Sequence, residues 1–97
     1  LFDESAFYSN KEVSVPSNYP NPFNATTSIN FDSESEAMVQ LEVYNILGRK
    51  LETLVNNYLP EGHHEIRWNA SDYSSGIYFY KLLIGDSSHT KRMTLLK

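Results

Sequence analysis

Residues Gly76 to Gly85, Gly-Ile-Tyr-Phe-Tyr-Lys-Leu-Leu-Ile-Gly, constrain the fold more than any other stretch of the chain. Apolar side chains fall on both parities, Ile77 and Phe79 on one and Tyr78, Tyr80, Leu82 and Ile84 on the other. A strand with one wet face alternates apolar and polar residues, so this run reads as an interior strand covered on both faces. Its aromatic and β-branched content, bracketed by glycines, disfavours a helix of the same length. We expect it to be the central strand of the domain.

Other segments alternate with the period of half-buried strands. Val13 and Val15 form a short first strand that Pro16 ends. Thr27, Ile29 and Phe31 alternate with polar neighbours, as do Val39, Leu41 and Val43; Gly48 suits a hairpin connection that leads into Leu51, Thr53 and Val55. Ala37, Leu41, Tyr44, Leu51, Val55 and Tyr58 also approach a heptad, so a helix competes here. Strand formers and Gly48 favour two strands. Leu59-Pro60-Glu61-Gly62 carries proline and glycine at the positions a type I turn prefers. His64, Ile66, Trp68 and Ala70 follow in alternation, and Gly85-Asp86 fits a two-residue hairpin into a last strand from Ser88 to Lys97. The expected fold is all-β, an immunoglobulin-like antiparallel β-sandwich of about seven strands. Its expected core is Phe31, Val39, Leu41, Val43, Ile66, Trp68, Tyr78, Tyr80, Leu82, Met93 and Leu95.

Asn18-Tyr19-Pro20-Asn21-Pro22-Phe23-Asn24 cannot be helix or central strand, because two prolines fix alternate φ angles and bias the residues before them. It reads as an ordered, extended segment, Pro20 and Pro22 setting its path and Tyr19 and Phe23 pinning it to the body. The two prolines lack the P-x-x-P spacing of an SH3 or WW ligand. Residues 1–12 read as a linker or the tail of an upstream domain, and residues 13–97 as one domain. A start at Leu1 without a signal-peptide pattern fits a piece of a longer polypeptide.

Chemistry finds little support. With no cysteine, thiol catalysis and Cys-ligated zinc are excluded, and a real core rather than disulfides must hold the fold. His63 and His64 are adjacent on a strand, point to opposite faces and cannot jointly chelate. No Gly-x-Ser-x-Gly elbow frames a serine. Asp32, Glu34 and Glu36 lack the spacing of a calcium loop and read as a solvated turn. Tyr44, Tyr58, Tyr73, Tyr78 and Tyr80 could line a sugar-binding face, but their place in strand patterns favours packing. A net charge of −4 argues against a nucleic-acid binder. No enzyme, cofactor, metal or small-molecule substrate is expected. Acids crowd the first half, whereas Lys91, Arg92 and Lys97 make the end basic.

Four blocks in order carry a resemblance: Asn18–Asn24, as quoted; Val43-Tyr44-Asn45-Ile46-Leu47-Gly48-Arg49; Ser75-Gly76-Ile77-Tyr78-Phe79-Tyr80-Lys81-Leu82; and Lys91-Arg92-Met93-Thr94-Leu95-Leu96-Lys97. From about Val13 onward the chain resembles the type A C-terminal sorting domains of the type IX (Por) secretion system of Bacteroidetes. One departure is Ala25, where many relatives place proline, which loosens the turn. The related immunoglobulin-like domain of flagellar hook-capping proteins shares the Gly-Ile-Tyr strand but generally not the basic tail.

The resemblance implies a non-enzymatic signal at the C-terminus of secreted enzymes and adhesins, covalently joined to an upstream cargo domain. It implies recognition by the outer-membrane translocon and passage through the periplasm of a Gram-negative bacterium to the outside or the cell surface. For many members it implies removal by a sortase-like cysteine protease and transfer of the cargo to a surface anchor. The candidate recognition residues are Lys91, Arg92, Leu96 and Lys97, on a last strand offered by its edge or its charged tip. The competing reading is a structural or adhesive sandwich retained on an extracellular protein or filament. It would self-associate through its N-terminal segment or an open strand edge.

Overall fold

A computed structural model of the chain describes residues 15–97. Seven strands follow one another: β1 (Ser17–Tyr19), β2 (Thr26–Ser33), β3 (Ala37–Asn45), β4 (Lys50–Leu59), β5 (Gly62–Asn69), β6 (Gly76–Ile84) and β7 (Ser87–Leu95). They form two sheets, ordered β1-β2-β5 and β4-β3-β6-β7, with every strand pair antiparallel. This is an all-β sandwich. The Ala37–Tyr58 region is a hairpin and not a helix.

The alternation of the sequence explains the burial. Thr27, Ile29, Phe31 and Ser33 are buried along β2, while Val39, Leu41 and Val43 are buried along β3. Tyr78, Tyr80 and Leu82 of β6 meet Met93 and Leu95 of β7 in the same core, together with Phe23, Trp68, Val55 and Ala70. Ile66 is only half-buried and packs against this cluster.

Three expectations need correction. The first strand does not include Val15. Val13 lies outside the described residues, as do residues 1–12 with their expected linker role, and Val15 is exposed. The strand begins after Pro16, whose ring is itself fully buried, so this proline precedes pairing and does not end it. Second, β6 is interior but covered on one face only: Ile77 and Phe79 are half-buried. They need no second layer, because ladder neighbours flank them; Phe79 lies between Tyr44 of β3 and Arg92 of β7. Third, β4 does not alternate regularly: Val55 is buried and Leu51 packs against the core, but Thr53 does not. Register shifts leave Leu51 and Leu54 without direct partners and leave Thr53 exposed. They also turn Glu52 to the face of buried Val43, its partner across the ladder.

One buried group is unsatisfied. The Tyr80 hydroxyl has no hydrogen-bond partner among the described residues, and burial pushes its pKa up to about 12. In the unfolded chain the phenol ionises near its ordinary value of about 10. The stabilising contribution is therefore complete below about pH 10 and is lost as pH rises through about 12, at about 1.4 kcal/mol per pH unit between them. Tyr80→Phe removes both the orphan hydroxyl and this alkaline loss. We expect the variant to be as stable as the parent or up to about 1 kcal/mol more stable at pH 8, and its advantage to widen at pH 11. Urea unfolding at the two pH values checks this; a loss above about 2 kcal/mol at pH 8 would show that the hydroxyl has a partner.

Candidate recognition surface

The strand ladders bring four separated segments to one end of the sandwich. β3 ends and β4 begins there, joined by Ile46–Arg49; β6 begins at Gly76 opposite Leu95, where β7 ends. In the other sheet, β1 ends at Tyr19 and β2 begins at Thr26, opposite Asn69 at the end of β5. The Pro20–Ala25 segment, the turn at 46–49, the loop at 70–75 and the tail at Leu96–Lys97 are thus neighbours.

Trp68 joins two of these segments, Pro20–Ala25 and the loop at 70–75, to β4 and β6. Its ring centroid lies 5.8 Å from that of Phe23, 5.7 Å from Tyr73 and 5.7 Å from Tyr78, the last pair edge-to-face. Aromatic rings prefer these tilted contacts at such distances. The indole N–H donates to Glu52 Oε2 at 3.2 Å, and the Tyr73 hydroxyl donates to the same oxygen at 2.9 Å. Burial, followed by this bond, raises the Tyr73 pKa. Tyr78 donates to the Ser74 carbonyl at 2.6 Å, fixing the loop that carries Tyr73. Glu52 was not legible as an inward residue, because only the irregular β4 register turns it in.

The Phe23 backbone carries the arrangement on to the tail. Its N–H donates to Thr94 O at 2.9 Å and its carbonyl accepts the Leu96 N–H at 2.8 Å, a parallel bridge to β7. Asn21 completes the cover: its Oδ1 accepts the Thr94 N–H at 3.0 Å and its Nδ2 donates to Arg92 O at 3.3 Å. The outward backbone groups of β7 from Arg92 O to Leu96 N are thereby occupied. Pairing with another strand over that stretch is blocked, and open edge remains only toward Ser88.

The expected recognition residues do not form one patch. Lys91 pairs with Tyr80 and Arg92 with Phe79, so the two cations leave β7 on opposite faces. Lys97 lies beyond the strand; its N–H donates to Ser75 Oγ at 2.9 Å and its ammonium to the Ser71 carbonyl. Leu96 is 56% exposed. In the extended segment Phe23 is buried, but Tyr19 is 78% exposed and does not pin anything, which corrects that expectation. Tyr19 pairs with Ser28 on the outer face, and inward-facing Asn18 bonds Thr27 instead, at 3.1 Å. Pro20 and Pro22 are exposed, each preceded by a cis peptide bond. Nor is the turn loose at Ala25. It holds φ 81° and its carbonyl accepts the Ala70 N–H at 2.6 Å, a geometry closed to proline, whose φ stays near −65°.

The opposite end differs in charge. Asp32, Glu34, Glu36, Glu61 and Asp86 gather around its loops, and a shallow groove of about 450 Å³ is lined by Asp32, Glu34, Asp86 and His89 among others. No group of three potential metal ligands occurs among the described residues. His63 pairs with Asp32 at 2.8 Å, whereas His64 faces Phe31 on the other side. The tyrosines form no continuous platform: Tyr78 and Tyr80 are core, Tyr44 and Tyr73 donate to Glu42 and Glu52, and Tyr58 stands exposed at the far end.

The family model described as the secretion system C-terminal sorting domain matches residues 17–95. No curated protein matches this chain significantly.

Asn21→Ala removes both side-chain bonds to β7 without touching the core. We expect a stability loss of about 1–2 kcal/mol and faster hydrogen exchange at the Thr94 amide, with the Tyr80 amide nearly unchanged. Amide exchange measured by NMR checks this, and equal acceleration at both amides would contradict a local cover.

Proposed function

The chain belongs to the family of secretion system C-terminal sorting domains, the sorting signals of type IX secretion, and from that premise we propose a role confined to one end of the sandwich. Proteins bearing such domains are secreted or surface-exposed. The domain acts without catalysis: it is read by the outer-membrane translocon after the cargo reaches the periplasm, and the reader contacts the end where β7 leaves the sheet. Cargo release by a sortase-like protease and its transfer to a surface anchor belong to the same reading, with cutting in residues 1–12.

The observation that carries this reading is the convergence of the four sequence blocks. Segments tens of residues apart meet where Trp68 holds Phe23, and Phe23 in turn holds the β7 tail. A core needs no exposed, charged tail, and β7 already buries its packing residues, Met93 and Leu95. Leu96 and Lys97 are left to meet a partner; Lys91 and Arg92, on opposite faces, act singly.

Deleting all of Arg92–Lys97 would strip Met93 and Leu95 from the core and confuse folding with signalling. The discriminating variants are Lys97→Glu and removal of Leu96 and Lys97 alone. Fused behind a fluorescent reporter in a bacterium with a type IX system, the intact chain should direct export. Each variant should lower the secreted fraction on the order of tenfold, the scale of one lost contact residue at an interface. Unchanged export from both variants, with unchanged melting, would remove the tail from the mechanism.

A further inference from the structure

Among the described residues, the large hydrophobic side chains left exposed are Val15, Tyr19, Met38, Ile46, Leu47, Tyr58 and Leu96. Tyr19, Ile46, Leu47 and Leu96 lie at the end that carries the tail. Ile46 and Leu47 are 64% and 75% exposed, side by side in the β3–β4 turn. Ile46 and Leu47 are thus an adjacent exposed apolar pair, unlike the singly scattered apolar residues that need no explanation.

The turn is also held rigid. Asn45 Oδ1 accepts the N–H groups of Leu47 and Arg49 at 2.9 and 3.0 Å. The Asn45 N–H donates to Arg49 O and the Gly48 N–H to Asn45 O, each at 3.0 Å, while Gly48 takes φ 84°. Side-chain to backbone bonds of this kind lock a turn in place. Two aliphatic side chains are therefore presented to water in one geometry, which reduces the entropy lost when a partner covers them.

Charge supplies the partner's chemistry. Lys50 is neutralised locally by Glu42 at 3.3 Å. Arg49 is exposed and makes no ion pair among the described residues, and Lys97 lies at the same end, three strand positions away in the order β4-β3-β6-β7. Asp72 is the one carboxylate in the loops of this end, whereas the loops of the opposite end carry carboxylates and no Lys or Arg.

We propose that the Ile46–Arg49 turn is a second recognition element of the sorting signal, its two aliphatic side chains entering an apolar pocket rimmed by carboxylates on the secretion receptor, which pair with Arg49. The proposal rests on the reading of the domain as an export signal and adds a site distinct from the β7 tail. The cations steer the approach of this end, and the acidic far end is repelled by the same receptor surface.

The test uses the reporter fusion of the full chain. Ile46→Ser combined with Leu47→Ser leaves Asn45 and Gly48 in place and touches no core residue. Its melting temperature should match the parent's, and its secreted fraction should fall on the order of tenfold. Arg49→Glu should fall similarly, and Arg49→Lys should keep most of the export. If the double serine variant is exported like the parent while Lys97→Glu is retained, the turn has no such role and the export reading stands. If the parent is not exported, the underlying reading fails and takes this inference with it. Purified chain that dimerises, or that sediments with phosphatidylglycerol vesicles, and loses this property in the double serine variant would assign the turn to a second copy or to a membrane, and would overturn the proposal.

Discussion

The contact of Trp68 with Phe23 is the interaction on which the rest depends. A sandwich of this size without disulfides must close its ends by packing. Here one indole on an edge strand gathers Phe23, Tyr73 and Tyr78 and donates its N–H to Glu52. The tryptophan thus stabilises the core and also determines where two loop segments run. Without Phe23 seated on it, the Pro20–Ala25 segment would have no reason to cross from β1 to β7. The β7 edge would then be bare.

That crossing has a functional consequence. Edge strands invite pairing, and this chain covers the edge where its tail emerges, leaving Leu96 and Lys97 beyond the last paired residue. The message is then carried by side chains on a fixed frame and not by a free strand waiting to be added to another sheet. The bonds of Asn45 do the same for the β3–β4 turn. Both devices limit the ordering that must accompany binding.

Much of this was legible in the residues. Period-two alternation located β2, β3, β5 and β7, because one buried face leaves a parity signature that little else produces, and a continuous apolar run between glycines located β6. It failed where parity itself breaks: the register shifts of β4 turned Glu52 inward against the pattern. It also misjudged the second face of β6, since apolar residues on both parities cannot tell a covering layer from cross-strand neighbours. Tyr19 looked like an anchor because it is aromatic, but one residue of register puts Asn18 inward instead. The cover of the β7 edge was beyond reach, because Asn21 and Thr94 are 73 positions apart and an asparagine beside prolines gives no sign of its target. The opposed directions of Lys91 and Arg92 follow from strand alternation alone; grouping them by charge concealed it.

The domain is polar along its length, with acidic loops at one end and an apolar, basic surface at the other. The central claim is that a secretion receptor reads only the second of these. Site-specific photo-crosslinking during export tests it most directly, with the reactive side chain placed in turn at Leu47, Leu96, Glu36 and Asp86. The account predicts adducts to one outer-membrane component from Leu47 and Leu96, and none to it from Glu36 or Asp86. Adducts of equal yield from all four positions, or from the acidic end alone, would contradict it.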